Sequence, residues 1–123
     1  MQDFRQLLVW QLAHELAVNV ILTTNQAERG HSTLITQARE SAASVAANIA
    51  EGTRRPTQKQ FASFLGIAIG SLSETHNHLL LIRDAGILRV DLIQPLISKI
   101  DRLRPMLFSL RTRVLNNPDK KGS

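Results

Sequence analysis

The sequence predicts an all-α protein whose single domain is an antiparallel up-down four-helix bundle. Apolar residues recur every three to four positions in four separate segments, which is the period of an amphipathic helix. Strand signals are nearly absent, because the 123 residues include no Tyr and no sustained apolar–polar alternation bounded by turns. Short links at residues 52–57 and 85–91 favour antiparallel neighbours. We expect residues 1–115 to form the bundle and residues 116–123 a flexible basic tail.

The first two helices are predicted at about residues 4–26 and 33–51. Asp3 is a candidate N-cap of the first helix. Gly52 is expected to end the second helix as a C′ glycine. The expected core positions are Phe4, Leu7, Trp10, Ala13, Ala17 and Val20 in the first helix, and Ile35, Ala38, Ala42, Val45, Ile49 and Gly52 in the second.

The third and fourth helices are predicted at about residues 58–84 and 92–115. Thr57 and Asp91 are each followed three positions later by Gln, which predicts a capping box at the start of each helix. Pro105 lies inside the fourth pattern, where a kink is expected. The expected core positions are Phe61, Leu65, Ala68, Leu72, Thr75, Leu79 and Ile82 in the third helix, and Ile93, Leu96, Ile100, Leu103, Leu107, Leu110 and Val114 in the fourth.

The positive charge is concentrated in the last part of the chain. The net charge is +5, and residues 1–98 carry equal numbers of basic and acidic side chains. The whole excess therefore lies in residues 99–123, with 7 basic residues against 2 acidic ones. This distribution favours an acidic partner such as RNA, DNA or an acidic protein surface, although a solvated helix face and tail would show the same pattern.

Two groups of basic residues are candidates for nucleic-acid binding. Arg54, Arg55 and Lys59 surround the predicted start of the third helix, where free backbone amides attract anions. The fourth helix carries basic residues on both edges of its core stripe. They are Lys99, Arg102 and Arg113 on one edge, and Arg104 and Arg111 on the other. With one Trp and four Phe, mostly at core spacing, we expect contacts to backbone and shape rather than stacking on bases.

The third helix also predicts a homo-oligomer. Residues 60–73 contain no charged side chain, and small residues repeat at heptad spacing opposite the core stripe. Two glycines inside a helix cost about 1 kcal/mol each relative to Ala, so they are expected where another backbone approaches closely. An apolar pair on the first helix lies outside its main stripe. The predicted oligomer interface is Leu8, Leu12, Ser63, Gly66, Gly70 and Ser73.

A second, polar stripe runs beside the apolar one on the second helix. Its members are Ser41, Ser44, Asn48, Glu51 and Arg55. Such a stripe is a solvated face, a buried hydrogen-bond network or a ligand surface. We favour a structural role, because a carboxylate near a helix C-terminus needs a compensating partner, and Arg54, Arg55 or the amides of the next helix are close in sequence.

No arrangement of side chains in the sequence predicts catalysis or a cofactor. There is no Cys, and His14-Glu15 lacks the second His of a zinc-protease helix because position 18 is Val. His76 and His78, two positions apart on a helix, point in different directions. Phosphate-binding loops and nucleophile elbows are absent. We therefore expect no catalytic residue, no metal, no cofactor and no enzyme activity.

The sequence also predicts where the protein is found. The N-terminal segment contains acidic residues and no small-residue cleavage site, unlike a secretory signal. The longest stretch without a charge, residues 60–73, is too short to span a membrane. We expect a soluble cytoplasmic protein without a membrane partner.

Three segments together resemble one known family. They are DFRQLLVWQLAHELA at residues 3–17, SVAANIAEGTRR at residues 44–55 and FLGIAIGSLSETHNHLLL at residues 64–81. In order and spacing they resemble the four-helix-bundle family known from 23S ribosomal RNA intervening sequences, a group that includes the accessory protein of diversity-generating retroelements. The resemblance covers the first three helices, and the fourth matches only in character.

The resemblance implies an up-down bundle that assembles as a homopentamer with a positively charged surface. It also implies a non-enzymatic role in binding nucleic acid or, in the retroelement branch, a reverse transcriptase. The sequence departs from the family pattern at Leu8 and Leu12, where polar and often basic residues are usual. The positions that match the family motif, which we interpret as structural or interfacial, are Asn48, Glu51, Gly52, Gly70, Ser71 and Glu74.

Two interpretations of function follow. The first is an oligomeric basic bundle that binds RNA or DNA through backbone and shape contacts. The alternative is a protein-interaction scaffold, for example for a reverse transcriptase or another nucleic-acid enzyme.

Overall fold

The structure is a computed structural model that describes residues 3–27, 29–117 and 119. A short 3-10 helix at Phe4–Gln6 precedes four α-helices. These are α1 (Leu8–Thr24), α2 (Ser32–Thr53), α3 (Gln58–Asp84) and α4 (Val90–Asn116), and no strand is present in the described part of the chain. The predicted all-α, up-down four-helix bundle is confirmed.

The helices occupy the four corners of the bundle in sequence order. α1 packs on α2 and α4, and α3 packs on the same two helices. α1 and α3 are therefore diagonally opposite. One end of the bundle contains the start of α1, the end of α2, the start of α3 and the end of α4. Of the predicted tail, Asn116 completes α4, whereas Pro118 and residues 120–123 lie outside the described residues.

The core follows the predicted stripes of α2, α3 and α4. Every predicted core position of α2 is buried, and in α3 and α4 only Phe61 and Leu110 are half-buried rather than buried. The buried apolar residues form one continuous cluster. Because three helices each present a single apolar stripe at helical spacing, their burial is the main stabilising contribution to the bundle.

The predicted start of α1 is wrong. The backbone is extended at Leu7, with φ −76° and ψ 126°, so the helix begins at Leu8 and Asp3 caps only the 3-10 helix. Ala13, Ala17 and Val20 are buried as predicted, but Phe4 and Leu7 are only half-buried, and Val9 and Leu16 are buried instead. Trp10 is half-buried: it packs edge-on against Phe4 and stacks on His14, with ring centroids 5.1 and 4.8 Å away.

The role predicted for Gly52 is also wrong. A C′ glycine adopts a positive φ, but among the described residues only Gly30 and Gly86 do so. Gly52 is a buried residue within α2, and a Cβ there would lie 2.8 Å from Cδ1 of Phe61 and 3.1 Å from Cβ of Phe64. The missing side chain therefore lets the first turns of α3 pack closely against α2.

Only one of the two predicted capping boxes has its N-cap where expected. Thr57 is the N-cap of α3 and accepts a hydrogen bond from the Gln60 amide at 3.1 Å. α4 begins earlier than predicted, at Val90, and its N-cap Arg89 provides no side-chain bond. Asp91 is therefore inside the first turn, where its negative charge interacts favourably with the positive end of the helix dipole. α4 continues through Pro105.

Candidate nucleic-acid interface

A continuous chain of polar side chains joins α2 to α3. The buried Thr75 hydroxyl donates to Ser41 Oγ at 2.8 Å, and it also lies 2.9 Å from the Ser71 carbonyl oxygen. Ser71 Oγ is 2.9 Å from Ser44 Oγ. The Asn48 amide then donates to both oxygens of Ser44, at 2.8 and 2.9 Å. Since a polar chain of this kind is satisfied in only one alignment, it fixes the register between the two helices. The geometry supports a structural role for Asn48 and Ser71.

The carboxylate near the end of α2 is compensated by an arginine just beyond the end of the helix. Arg55 Nη2 lies 2.6 Å from Glu51 Oε1, and the Arg55 guanidinium stands 5.4 Å above the Phe64 ring. An exposed i, i+4 pair of this kind contributes about 0.3–0.5 kcal/mol. Arg55 is therefore engaged by its own protein. Glu74, in contrast, is exposed and forms no ion pair or hydrogen bond with any described residue.

Positive charge without a partner collects at the end of the bundle where α3 begins, which we name the basic end. Arg54, Lys59 and Arg113 are exposed there, and none lies within 4 Å of a described carboxylate. The acidic residues of this end are already occupied. Asp3 pairs with Arg5 at 2.8 Å and Glu51 with Arg55. Asp119 Oδ1 accepts a 2.7 Å hydrogen bond from the backbone amide of Gln58, the first residue of α3.

Arg111 completes the basic end on the α3 side. Its guanidinium lies over α3, with Nε 3.6 Å from the position that a Cβ on Gly66 would occupy. That nitrogen is buried without a hydrogen-bond partner among the described residues. An unpaired buried donor costs about 1–3 kcal/mol. Arg111 is therefore held in place by packing, with no acceptor for its Nε.

The remaining basic residues of α4 lie on the two edges that the sequence predicts. On the α1 edge, Lys99 Nζ lies 2.7 Å from Glu15 Oε1, and this hydrogen bond and the ammonium charge hold the pKa of Glu15 below its ordinary value. Arg102 is exposed and has no ion pair with a described residue.

The α3 edge of α4 holds one guanidinium in a polar cluster. Arg104 Nη2 lies 2.9 Å from His76 Nδ1, and Nη1 lies 3.3 Å from Asp101 Oδ1. A guanidinium only donates, so His76 Nδ1 is the acceptor and the neutral ring carries its proton on Nε2. Arg104 and Lys99 are thus paired within the protein, unlike the exposed cations of the basic end.

The predicted oligomer interface is only partly exposed. Leu8 is 51% exposed, whereas Leu12 is half-buried against the core, because it lies on the same face of α1 as the buried Val9 and Leu16. Ser63, Ser73 and Gly70 are exposed on the outer face of α3, and no atom of the described part of the chain lies within 4 Å of the position of a Cβ on Gly70. Gly66, half-buried next to Arg111, is covered by its own chain.

Sequence reasoning missed a larger apolar surface on α1. Val18, Ile21 and Leu22 are 40%, 41% and 59% exposed and lie on one face of the helix. Their spacing of i, i+3 and i+4 was the available signal. The predicted core stripe correctly placed Ala13, Ala17 and Val20 in the core, but the exposed apolar residues on the other side of the helix were not recognised. α1 and α3 therefore present exposed apolar or small-residue faces at diagonally opposite corners.

Two further observations concern metal ligands and membrane-spanning helices. Within residues 3–27, 29–117 and 119, no three His, Asp or Glu side chains come together in a way that would hold a metal ion. None of the described helices combines the length and the apolar character needed to cross a membrane.

Four helices pack together, and a chain of hydrogen-bonded polar side chains, which we name the polar seam, joins α2 to α3 through Ser41, Thr75, Ser71, Ser44 and Asn48. Together with the basic end, these features define a basic four-helix-bundle protein. Residues 5–109 match the model of the 23S rRNA-intervening sequence protein family, and the chain belongs to this family. A similar solved structure is a protein of unknown function from the S23 ribosomal protein family of Bacteroides thetaiotaomicron. It is 21% identical, with a TM-score of 0.77 over 85% of this chain and 98% of that one. No curated protein matches the sequence.

Proposed function

We propose that this protein is a non-enzymatic, oligomeric nucleic-acid-binding module of the cytoplasm that contacts RNA or DNA through its basic end. The observation that carries the proposal is the set of exposed cations beside the first turn of α3 that have no carboxylate partner among the described residues. Arg54, Lys59 and Arg113 are available to phosphates without breaking an internal ion pair. The positive end of the α3 dipole lies beside the first two and adds to their attraction for an anion.

The basic residues are expected to contribute unequally. Arg55, Lys99 and Arg104 are already paired with Glu51, Glu15 and Asp101. Binding a phosphate would require each of them to exchange one partner for another, so each should contribute less than an unpaired cation. Arg102 is unpaired but lies farther along α4, and we expect it to contribute mainly to long-range attraction.

The proposal is tested by measuring binding of a structured RNA at low salt. Arg54→Ala and Lys59→Ala should each bind more weakly than the wild type. Arg89→Ala is a matched control that also removes one positive charge, because Arg89 is exposed at the opposite end of the bundle, where it pairs with Asp91. Absence of binding by the wild type at low salt, for both RNA and DNA, would refute the proposal.

The proposed assembly is a homo-oligomer, and the family resemblance favours a pentamer. The exposed apolar face of α1 carries large side chains, and the outer face of α3 has room above Gly70. Because α1 and α3 are at opposite corners, contact between them in successive copies would be head-to-tail. Such an arrangement repeats the basic end in every subunit, which strengthens binding to an extended nucleic acid.

A protein-interaction scaffold is the second candidate. The exposed cluster of Val18, Ile21 and Leu22 favours it, since an apolar patch also suits a protein partner such as a reverse transcriptase or another nucleic-acid enzyme. Co-purification of a partner that survives nuclease treatment and high salt, and that is lost on Leu22→Glu, would favour this candidate. A partner released by nuclease would favour nucleic-acid binding.

A further inference from the structure

The first residue of α3 is joined to the end of the chain by one hydrogen bond. The Gln58 backbone amide donates to Asp119 Oδ1 at 2.7 Å, across 61 positions of sequence. The side chain of the N-cap, Thr57, accepts a hydrogen bond from the amide of Gln60, three residues further on. The carboxylate after α4 therefore serves an amide at the start of α3 that the N-cap side chain leaves available.

This carboxylate occupies the place where the proposed function puts a phosphate. Free amides at a helix N-terminus bind carboxylates and phosphates by the same interaction, a charge-assisted hydrogen bond aligned with the dipole. Arg54 and Lys59, exposed and close in sequence to Gln58, would attract either anion. One oxygen of Asp119 and one phosphate oxygen cannot both accept the Gln58 hydrogen in this geometry.

We propose that Asp119 is an intramolecular competitor of phosphate at the start of α3, so that nucleic acid must displace this carboxylate in order to bind there. This inference rests on the proposed function, because it concerns the regulation of the same site. The competition lowers the apparent affinity for the phosphate backbone and excludes weak anions that cannot displace Asp119. A charge at a helix N-terminus changes binding about two- to fivefold, and that is the expected size of the autoinhibition.

The test compares Asp119→Asn with Asp91→Asn. Both variants lose one negative charge, but Asp91 lies at the opposite end of the bundle and is exposed. Affinity for a short RNA duplex should rise about two- to fivefold with Asp119→Asn and much less with Asp91→Asn. Equal effects of the two substitutions, or none with Asp119→Asn, would overturn the inference, because the change would then reflect net charge or nothing at all.

The Gln58 amide gives a direct second measurement by NMR. In the wild type the charged acceptor should shift the Gln58 amide proton resonance downfield, and Asp119→Asn should reduce that shift. Inorganic phosphate should shift the same resonance at lower concentration in Asp119→Asn than in the wild type. A Gln58 resonance that is insensitive to the substitution, or to phosphate in both proteins, would refute the inference.

The two proposals fail in different ways. If phosphate shifts the Gln58 resonance as expected but neither protein binds RNA or DNA, the proposed function fails and the competition remains. If the wild type binds nucleic acid and Asp119→Asn binds no more tightly, the competition fails and the proposed function remains.

Discussion

Replacing Gly52 by Ala should destabilise the protein, although the same change inside a helix is ordinarily favourable. Alanine is better than glycine in a helix interior by about 1 kcal/mol. At Gly52, however, the new Cβ would lie 2.8 Å from Cδ1 of Phe61 and 3.1 Å from Cβ of Phe64. The second atom is fixed to the backbone of α3, so the helices must move apart.

The two contributions can be compared. Overpacking of a closely packed position costs about 1–3 kcal/mol, which offsets the gain in helix propensity. We expect Gly52→Ala to lower the free energy of unfolding by up to about 2 kcal/mol after that gain is subtracted. Urea denaturation followed by circular dichroism measures this difference, with the protein concentration held fixed because assembly would contribute to stability.

Gly66→Ala is the matched control. Its Cβ would lie 3.6 Å from Arg111 Nε, which is ordinary van der Waals contact. This variant should be more stable than the wild type, by up to about 1 kcal/mol. If Gly52→Ala stabilises the protein as much as Gly66→Ala does, the close approach of α2 and α3 at Gly52 is refuted.

Three further predictions concern the polar seam, the assembly and a surface ion pair. Thr75→Val removes a buried hydroxyl that bonds Ser41, and should lower the free energy of unfolding by about 1 kcal/mol in a denaturant titration. Gly70→Leu should convert multimers to smaller species in light scattering, because a large side chain would fill the open space above α3. The Lys99 partner lowers the pKa of Glu15, so this pair stabilises the fold at neutral pH and the stabilisation is lost as the pH falls through the folded-state pKa. Thermal unfolding should therefore differ between wild type and Glu15→Gln at neutral pH and converge in acid.

Each of these predictions has a contradicting result. Thr112→Val, at an exposed position, is the control for loss of a hydroxyl. If Thr75→Val and Thr112→Val lower the free energy of unfolding equally, the polar seam contributes no more than a surface hydroxyl. A wild type that is monomeric at micromolar concentration would contradict the assembly. A difference between wild type and Glu15→Gln that persists unchanged in acid would contradict the ion pair.

The sequence predicted α3 to the residue and the core stripes of α2 and α4 almost completely. These helices have regular apolar spacing, which is a local signal, whereas the end signal at Gly52 and the start signal at Asp91 were wrong. α1 was predicted less well, because the extended backbone at Leu7 breaks the predicted helix. No proline or glycine in the sequence marks this break. The predicted positions before this break, Phe4 and Leu7, are therefore only half-buried, whereas Ala13, Ala17 and Val20 are buried as predicted.

The basic end shows a second limit of sequence reasoning. Charge and position identified Arg54, Arg55, Lys59, Arg111 and Arg113 as candidates, but not which of them are engaged. Pairing depends on which side chains the fold brings together, as with Arg55 over Phe64 and Asp119 against Gln58. The contact between Asp119 and Gln58 joins distant parts of the chain, so no local pattern could have predicted it.

The central claim, that unpaired cations at the basic end bind the phosphate backbone, is tested most directly by the salt dependence of nucleic-acid binding. Fluorescence anisotropy of a labelled RNA duplex, measured over a range of salt concentrations, gives the number of phosphates neutralised. We predict that the slope of log affinity against log salt becomes shallower by about 1 for each of Arg54→Ala and Lys59→Ala, and changes little for Arg89→Ala. A slope that is the same in all three variants as in the wild type, or affinity independent of salt, would contradict the account.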